Sequence, residues 1–247
     1  MMKKFEANNV SYKKENQILN DFSFSFDKPL IGILTDQQDE NTNVLKILAG
    51  LIEPEGGSIR LEGENVYTSF NKKEKAIRKQ IGFVFQHGGL LSNLTILENF
   101  LVPYDFHFPE KSLNEKMKKI TGLMDSFELS GGILSERPAK LTLSMRKALL
   151  FIRTYLIEPK IIFYDDPFMN CPSQIKKSIL KQILKLREEK TIQIFCDSID
   201  AHLYELADTV ILLKQGELIS SATFKELKNS DSDFVNSLTS KILEGNL

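Results

Sequence analysis

The residues able to do chemistry in this 247-residue chain stand where apolar runs end. Lys160-Ile161-Ile162-Phe163-Tyr164 runs into the acid pair Asp165-Asp166, and Ile81-Gly82-Phe83-Val84-Phe85 into Gln86. Ile192-Gln193-Ile194-Phe195 runs into Cys196-Asp197, and Pro29 to Leu34 into an eight-residue polar loop, Thr35 to Thr42, that closes on Asn41-Thr42. Carboxylate, hydroxyl and amide groups at such ends can carry charge and make hydrogen bonds. Each has a plainer reading. Thr42 serves as a helix-start hydroxyl, Asp165 as a strand-end hydrogen bonder, and Gln86 as a structural or partner contact. His87, His107 and His202 share no spacing that suggests a metal or catalytic cluster and read as surface positions. Cys171 and Cys196 lack metal-ligand spacing and read as unpaired small residues near strand ends.

These positions need elements to hold them. Val10 to Tyr12 reads as a strand, as does Phe22-Ser23-Phe24-Ser25-Phe26 with its period of two. Leu30 to Leu34, Ile81 to Gln86, Ile161 to Tyr164, Ile192 to Phe195 and Val210 to Leu213 are short apolar runs typical of buried parallel strands. Asn43 to Gly50 has helical spacing and a glycine stop, and Pro54 to Gly63 reads as turn, strand and turn. Residues 90–158 lack strand patterns and read as helical, as in Leu113 to Phe127 and Ser144 to Ile157, and Ser173 to Glu189 is a further helix. The pattern predicts a mostly parallel α/β core interrupted by a helical insertion.

Composition narrows the function. With 32 Lys+Arg against 33 Asp+Glu the formal charge is −1, and hydrophobic residues make up 42%. That balance excludes a mainly electrostatic nucleic-acid binder, which needs excess basic charge to release counterions. The Lys-rich stretches 72–79 and 116–119 are mixed with acids or apolar residues and read as solvated helix faces. No apolar run approaches the ~20 residues that span a bilayer, so work at a membrane is expected to go through a partner. Met1 to Glu6 carries no apolar stretch behind its lysines, so no secretory signal is expected. Two cysteines make no disulfide framework, which suits a reducing compartment.

Read in order, these landmarks resemble the ATP-binding subunit of ABC transporters over essentially the whole chain. Tyr12 stands where that family stacks an aromatic on adenine, Gln86 at its Q-loop, and Ile161 to Pro167 along its Walker B strand. Leu48-Ala49-Gly50-Leu51 with Pro54 and Gly57-Ser58-Ile59, and Glu205 to Asp208 with Gly216 to Ile219, match its flanking stretches. Phe85 to Asn99 with Pro103, together with Asp166-Pro167-Phe168 and the tail Ser230 to Val235, resembles the lipid-trafficking Mla/Mce branch. The resemblance implies a P-loop NTPase-like, RecA-type α/β fold with a mostly parallel sheet, an N-terminal antiparallel β region and a helical subdomain insertion. It implies one nucleotide-binding-domain fold over 1–225, its helical subdomain at about 88–158, and a C-terminal helical tail at 226–247, Lys- and Ser-rich and detachable in appearance. ATP and Mg²⁺ are the cofactors it implies, with Tyr12, Asn41, Thr42 and Gln86 at nucleotide positions and Thr42, Gln86 and Asp165 at metal positions.

The chemistry-bearing positions depart from that family's pattern. A phosphate loop of the form G-x-x-G-x-G-K-[ST] uses glycines to converge backbone N–H groups on phosphate and a Lys to neutralise it. Here the glycine positions are Thr35, Gln38 and Glu40, the Lys position is Asn41, and only Thr42 remains. Asp36, Asp39 and Glu40 bring carboxylates to where a triphosphate would lie. The catalytic Glu position is Asp166, the signature glycines are Leu143 and Ser144, the D-loop Asp is Pro172, and the switch His is Asp197.

The expectation is therefore a pseudo-ATPase that docks on a membrane permease as scaffold or regulator of lipid or solute transport. Alternatives are an active ATP-hydrolysing subunit with an unconventional phosphate site, and a soluble interaction protein with no transporter. No residue is assigned a firm catalytic role, and Asp165, Asp166 and Asp197 mark the degenerate positions. Leu90, Leu91, Leu94, Phe100 and Phe106 are the expected permease-docking residues. The implied partners are an integral membrane permease and a second ATP-binding subunit, identical or not, with no nucleic acid, in the cytoplasm against the inner membrane face.

Overall fold

A computed structural model describes residues 4–14, 17–36, 38–67, 76–197 and 200–243, with residues 17 and 38–40 described in their backbone only. Two sheets form the frame. The strands β1 (Phe5–Lys13), β2 (Gln17–Phe26), β4 (Gly56–Leu61) and β5 (Glu64–Asn65) make an antiparallel sheet in the order β2-β1-β4-β5. The second sheet runs β10-β9-β3-β8-β7-β6. It uses β3 (Leu30–Thr35), β6 (Ile81–Val84), β7 (Ile161–Asp165), β8 (Ile192–Cys196) and β9 (Thr209–Lys214), all parallel. An antiparallel edge strand, β10 (Glu217–Ala222), completes it.

Alternation along the parallel strands divides the core into two layers. Leu30, Leu34, Ile162, Tyr164, Phe195, Val210 and Leu212 face the larger cluster. Their neighbours Ile31, Ile33, Ile161, Phe163, Ile194 and Ile211 face the other, where they meet α1 (Gln38–Leu48) and the antiparallel sheet. Both faces are covered, so these strands read as continuous apolar runs. The larger cluster is closed by α2 (Ile96–His107), α3 (Leu113–Ser126), α4 (Leu143–Leu156) and α5 (Ser173–Glu188), with α6 (Ala201–Leu206), α7 (Phe224–Lys228) and α8 (Asp233–Leu243) at its far side. The α8 residues Val235, Leu238 and Ile242 are buried in that cluster, so this part of the tail packs.

A polar thread crosses this core. Tyr155 Oη lies 3.0 Å from Tyr164 Oη, which donates to Gln193 Oε1 at 2.9 Å, and Gln193 Nε2 donates to the Ile183 carbonyl at 3.0 Å.

Two readings of the sequence are corrected. The polar loop Thr35 to Thr42 is shorter than expected, because α1 already begins at Gln38. Without glycine to hold an open loop, Asp39, Glu40 and Asn41 enter a first helical turn, where acidic and amide side chains are favourable. The 116–119 stretch is not wholly solvated: Lys116 is buried, with its ammonium 2.6 Å from Asp105. Of the stretch 72–79, residues 72–75 lie outside the described residues.

Gly32 in the middle of β3 is required by packing. A Cβ there would stand 2.7 Å from the ring of Tyr204, which is wholly buried and donates to the Ile33 carbonyl at 3.1 Å. The ring cannot retreat, so Gly32→Ala is expected to destabilise the fold by about 1–3 kcal/mol, measured by chemical denaturation.

Candidate functional site at the strand ends

Parallel strands bring their C-terminal ends to one edge, the place where α/β sheets bind ligands. Here that edge collects Thr35 from β3, Asp165 from β7, Gln86 just beyond β6 and Asp197 just beyond β8, with α1 starting beside them. Thr42 Oγ1 lies 2.9 and 3.0 Å from the two carboxylate oxygens of Asp165 and donates to them. Asn41 Oδ1 accepts from Thr35 Oγ1 at 2.8 Å, so this amide is turned back onto β3. Gln86 Nε2 donates to Asp166 Oδ2 at 2.6 Å. Asp166 is buried and left-handed, with φ +43°, and its N–H donates to the Cys196 carbonyl at 2.9 Å.

Asp197 is buried, its Oδ1 accepting from the Asp200 N–H at 2.8 Å while its own N–H donates to Tyr204 Oη at 2.9 Å. Asp36 Oδ1 accepts from the Gln215 N–H in the β9–β10 turn at 3.1 Å. The side chains of Gln38, Asp39 and Glu40 lie outside the described residues. Tyr12 of β1 is half-buried and packs against the cluster between the sheets. Cys196 is fully buried, which with the aspartates around it pushes its thiol well above the usual range.

One residue that the sequence reading missed holds the site together. Lys147 of α4 is 4% exposed, and its ammonium donates to the carbonyls of Phe85 at 3.0 Å, Gln86 at 3.3 Å and Asp165 at 3.3 Å. Burial pulls its pKa down, and the charges of Cys171, Asp165, Asp166 and Asp197 oppose that pull. A signal was present: Lys147 opens the run Ala148 to Ile152, all buried, so no face of that helical segment was free for a solvated lysine.

The hydroxyl–carboxylate pair Thr42 and Asp165 is a donor set that suits Mg²⁺, which binds through one or two such oxygens and its own waters. Burial holds the Asp165 carboxyl above its usual range; the Thr42 hydrogen bond lowers it and Asp166 raises it again. The folded state thus binds this proton more readily than the unfolded chain does. The carboxylate costs stability at neutral pH, and that cost vanishes only below the unfolded pKa. Asp165→Asn keeps an oxygen for Thr42 and is expected to raise Tm at pH 7, the gain shrinking to nothing below about pH 4. Melting curves of both proteins across that range check it.

Beyond Gln86 lies an apolar surface. Asn99 is wholly buried and satisfied, its amide donating to the carbonyls of Leu91 and Thr95 at 3.0 and 2.9 Å and its oxygen accepting from the Leu91 N–H at 2.7 Å. It fixes the loop that presents Leu91 to solvent and leaves Leu90 and Leu94 half-buried. Phe106, 56% exposed, and Val102 are exposed on α2. Phe100 is corrected: it is 0% exposed in the core and belongs to no docking face. Spacing explains why, since Ile96, Phe100 and Tyr104 recur every four residues on the inward side of α2. Leu143, the first residue of α4, is also exposed. Thr142 caps that helix through the Met145 N–H at 3.2 Å.

Comparison with solved structures agrees with this architecture. A post-hydrolysis dimer of the ATP-binding cassette MJ0796 bound to ADP and Pi superposes with a TM-score of 0.79 at 23% identity, covering 89% of this chain and 98% of that one. The structure of an ATP-binding subunit of an ABC transporter gives 0.81 at 18% identity, covering 98% and 100%. At such identities the likeness is one of fold, and it defines an α/β cassette of the P-loop NTPase kind. The sequence goes further: the profile of the ABC transporter family matches residues 41–169, and the chain belongs to that family. It is 29% identical over 226 residues to the sulfate/thiosulfate import ATP-binding protein CysA of Bacillus cereus, covering 89% of this chain and 61% of that protein. It is 29% identical over 204 residues to the glycine betaine/carnitine/choline transport ATP-binding protein OpuCA of Bacillus subtilis, covering 81% and 52%. The chain thus spans about half to three fifths of the length of these relatives. Among the described residues no helix is long and apolar enough to cross a membrane.

Proposed function

We propose that this chain is an ABC-type subunit that has lost ATP hydrolysis and acts as a scaffold or regulator on a membrane permease. The observation that carries the reading is at position 41. Where a phosphate-binding lysine is expected, an amide stands instead, and it is hydrogen-bonded back onto Thr35. No cation is offered there to a triphosphate, and the helix wound from Gln38 replaces the open loop that would cradle one. Gln86 and Asp166 support the same view, since the Asp166 carboxylate accepts the Gln86 amide's hydrogen bond, where a water-orienting carboxylate would need to face solvent.

Leu91, Val102 and Phe106 are the surface on which this reading seats the permease. Clusters of exposed apolar residues mark interaction sites. A lipid-transport partner of the Mla/Mce type is supported by the stretch Phe85 to Asn99 and by Asp166-Pro167-Phe168. A second subunit of this fold, identical or not, and a place at the cytoplasmic membrane face belong to the same proposal. A second reading, an active ATPase, is favoured by one observation, the Mg²⁺-compatible pair Thr42 and Asp165. The names of the relatives would then point to small-solute import.

Titration of the purified chain with Mg-ATP, followed by phosphate release in the presence of its permease, separates the two. The expected result is no saturation in the micromolar range and no turnover. Micromolar binding with turnover that Asp165→Ala abolishes would establish the active enzyme instead.

A further inference from the structure

The parallel sheet ends at β6, which pairs with β7 on one side and, among the described residues, with no strand on the other. Beside that open edge a cavity of about 280 Å³ lies between β6, the loop through Gly89, α2 and the C-terminal half of α4. That volume is near the lower end of the range of small-molecule sites. Ile81, Phe83, Phe85, Pro103 and Ile157 line it with half-buried apolar surface, the Phe83 and Phe85 rings 4.5 Å apart between centroids.

Among the described residues one charged side chain lines this space, Arg153 of α4, and no carboxylate does. Its Nη1 donates to the Gly89 carbonyl. A Cβ at Gly89, whose φ is +91°, would stand 2.7 Å from Leu150, so only glycine lets that loop lie against α4 and hold the guanidinium in place. Among the described residues the rest of the fork has no hydrogen-bond partner, and the charge has no carboxylate. Burial alone pulls the Arg153 pKa below the usual arginine value, whereas Arg187 of α5 is paired with Asp208 and held above it. Arginine stays charged at neutral pH. A desolvated cation that the chain leaves uncompensated is unfavourable, and an anion beside it relieves the cost.

We propose that this cavity is a binding site for a small free monocarboxylate with an apolar tail, of about the size of octanoate. The carboxylate takes the Arg153 fork, whose planar N–H groups match a pair of carboxylate oxygens. The tail lies along Phe83, Phe85 and Ile157, where it removes apolar surface from water on both sides. A dianion such as phosphate would bring a second charge that no group here answers, and it has no apolar part to bury. An ammonium would meet Arg153 as a like charge. The site uses neither Thr42 nor Asp165 and stands whether or not ATP is bound or hydrolysed.

Calorimetric titration and thermal melts of the full chain with octanoate test it, beside octanol and octylamine as neutral and cationic analogues. Saturable binding of octanoate at about millimolar concentration is expected, about tenfold tighter than that of octanol, a ratio that one charge-assisted pair supplies. Octylamine is expected to bind more weakly than either. Arg153→Gln keeps an amide for the Gly89 carbonyl and removes the charge, so octanoate should lose its tenfold advantage while octanol binds as before. Unchanged octanol binding also shows that this variant is folded. Phe85→Ala should weaken octanoate and octanol alike. Absence of saturable octanoate binding, an analogue that binds as tightly as octanoate, or an undiminished preference for octanoate in Arg153→Gln would overturn the proposal.

Discussion

Thr35→Gly, Gln38→Gly, Glu40→Gly and Asn41→Lys combined are expected to raise the affinity of this chain for Mg-ATP about a hundredfold. A lysine ammonium about 4 Å from a phosphate oxygen contributes roughly 4 kcal/mol at an effective dielectric of ~20, and removing the Glu40 charge acts in the same direction. Glycines release the three positions from the ~1–2 kcal/mol penalty on left-handed backbone. Against this stand the loss of the Thr35–Asn41 hydrogen bond and ~0.5–1 kcal/mol for each glycine placed in the first turn of α1. A net gain of only about 3 kcal/mol already corresponds to a hundredfold. Asp36 is left alone because its carboxylate already serves the β9–β10 turn. Titration with a fluorescent ATP analogue measures the change. No gain would show that the acids and the missing lysine are not what excludes nucleotide.

Lys147→Met is expected to lower stability by about 3 kcal/mol or more. The methionine fills nearly the same space but leaves the carbonyls of Phe85, Gln86 and Asp165 without their buried donor. Each buried acceptor left without a partner costs ~1–3 kcal/mol. Removing the ammonium also takes a positive charge away from Asp165, Asp166 and Asp197, and buried charge that loses compensation is destabilising. Relief of the lysine's own desolvation offsets part of this. For a domain of this size the Tm should fall by about 6–12 °C. The double variant with Asp165→Asn should recover part of the loss, because the two groups interact and their effects do not add. Denaturant titrations of the four proteins complete the cycle, and strict additivity would separate Lys147 from the acid pair.

The sheet was legible wherever a strand is covered on both faces. Leu30 to Leu34, Ile161 to Tyr164 and Val210 to Leu213 leave no polar interruption to confuse, Ile192 to Phe195 is broken only by Gln193, and each lies within a strand of the structure. The edge strand β10 carries Glu217 and Ser221 exposed and Ser220 half-buried, so no long apolar run announces it. At the site, the contact of Thr42 with Asp165 follows from strand and helix order. The pairing of Asn41 with Thr35 does not, since it depends on where α1 begins. Lys147 was missed because a lysine on a helix reads as solvated until burial of its neighbours is considered. Phe100 was misplaced because apolar residues in 90–108 were counted without regard to helical phase.

The thread from Tyr155 through Tyr164 and Gln193 to the Ile183 carbonyl has a mechanical meaning. It joins α4 to two strands and to α5 by directional bonds inside an otherwise greasy interior. A slip of α4 by one residue along its axis would strand these dipoles with nothing to receive them. Sliding α4 past the sheet therefore meets a latch.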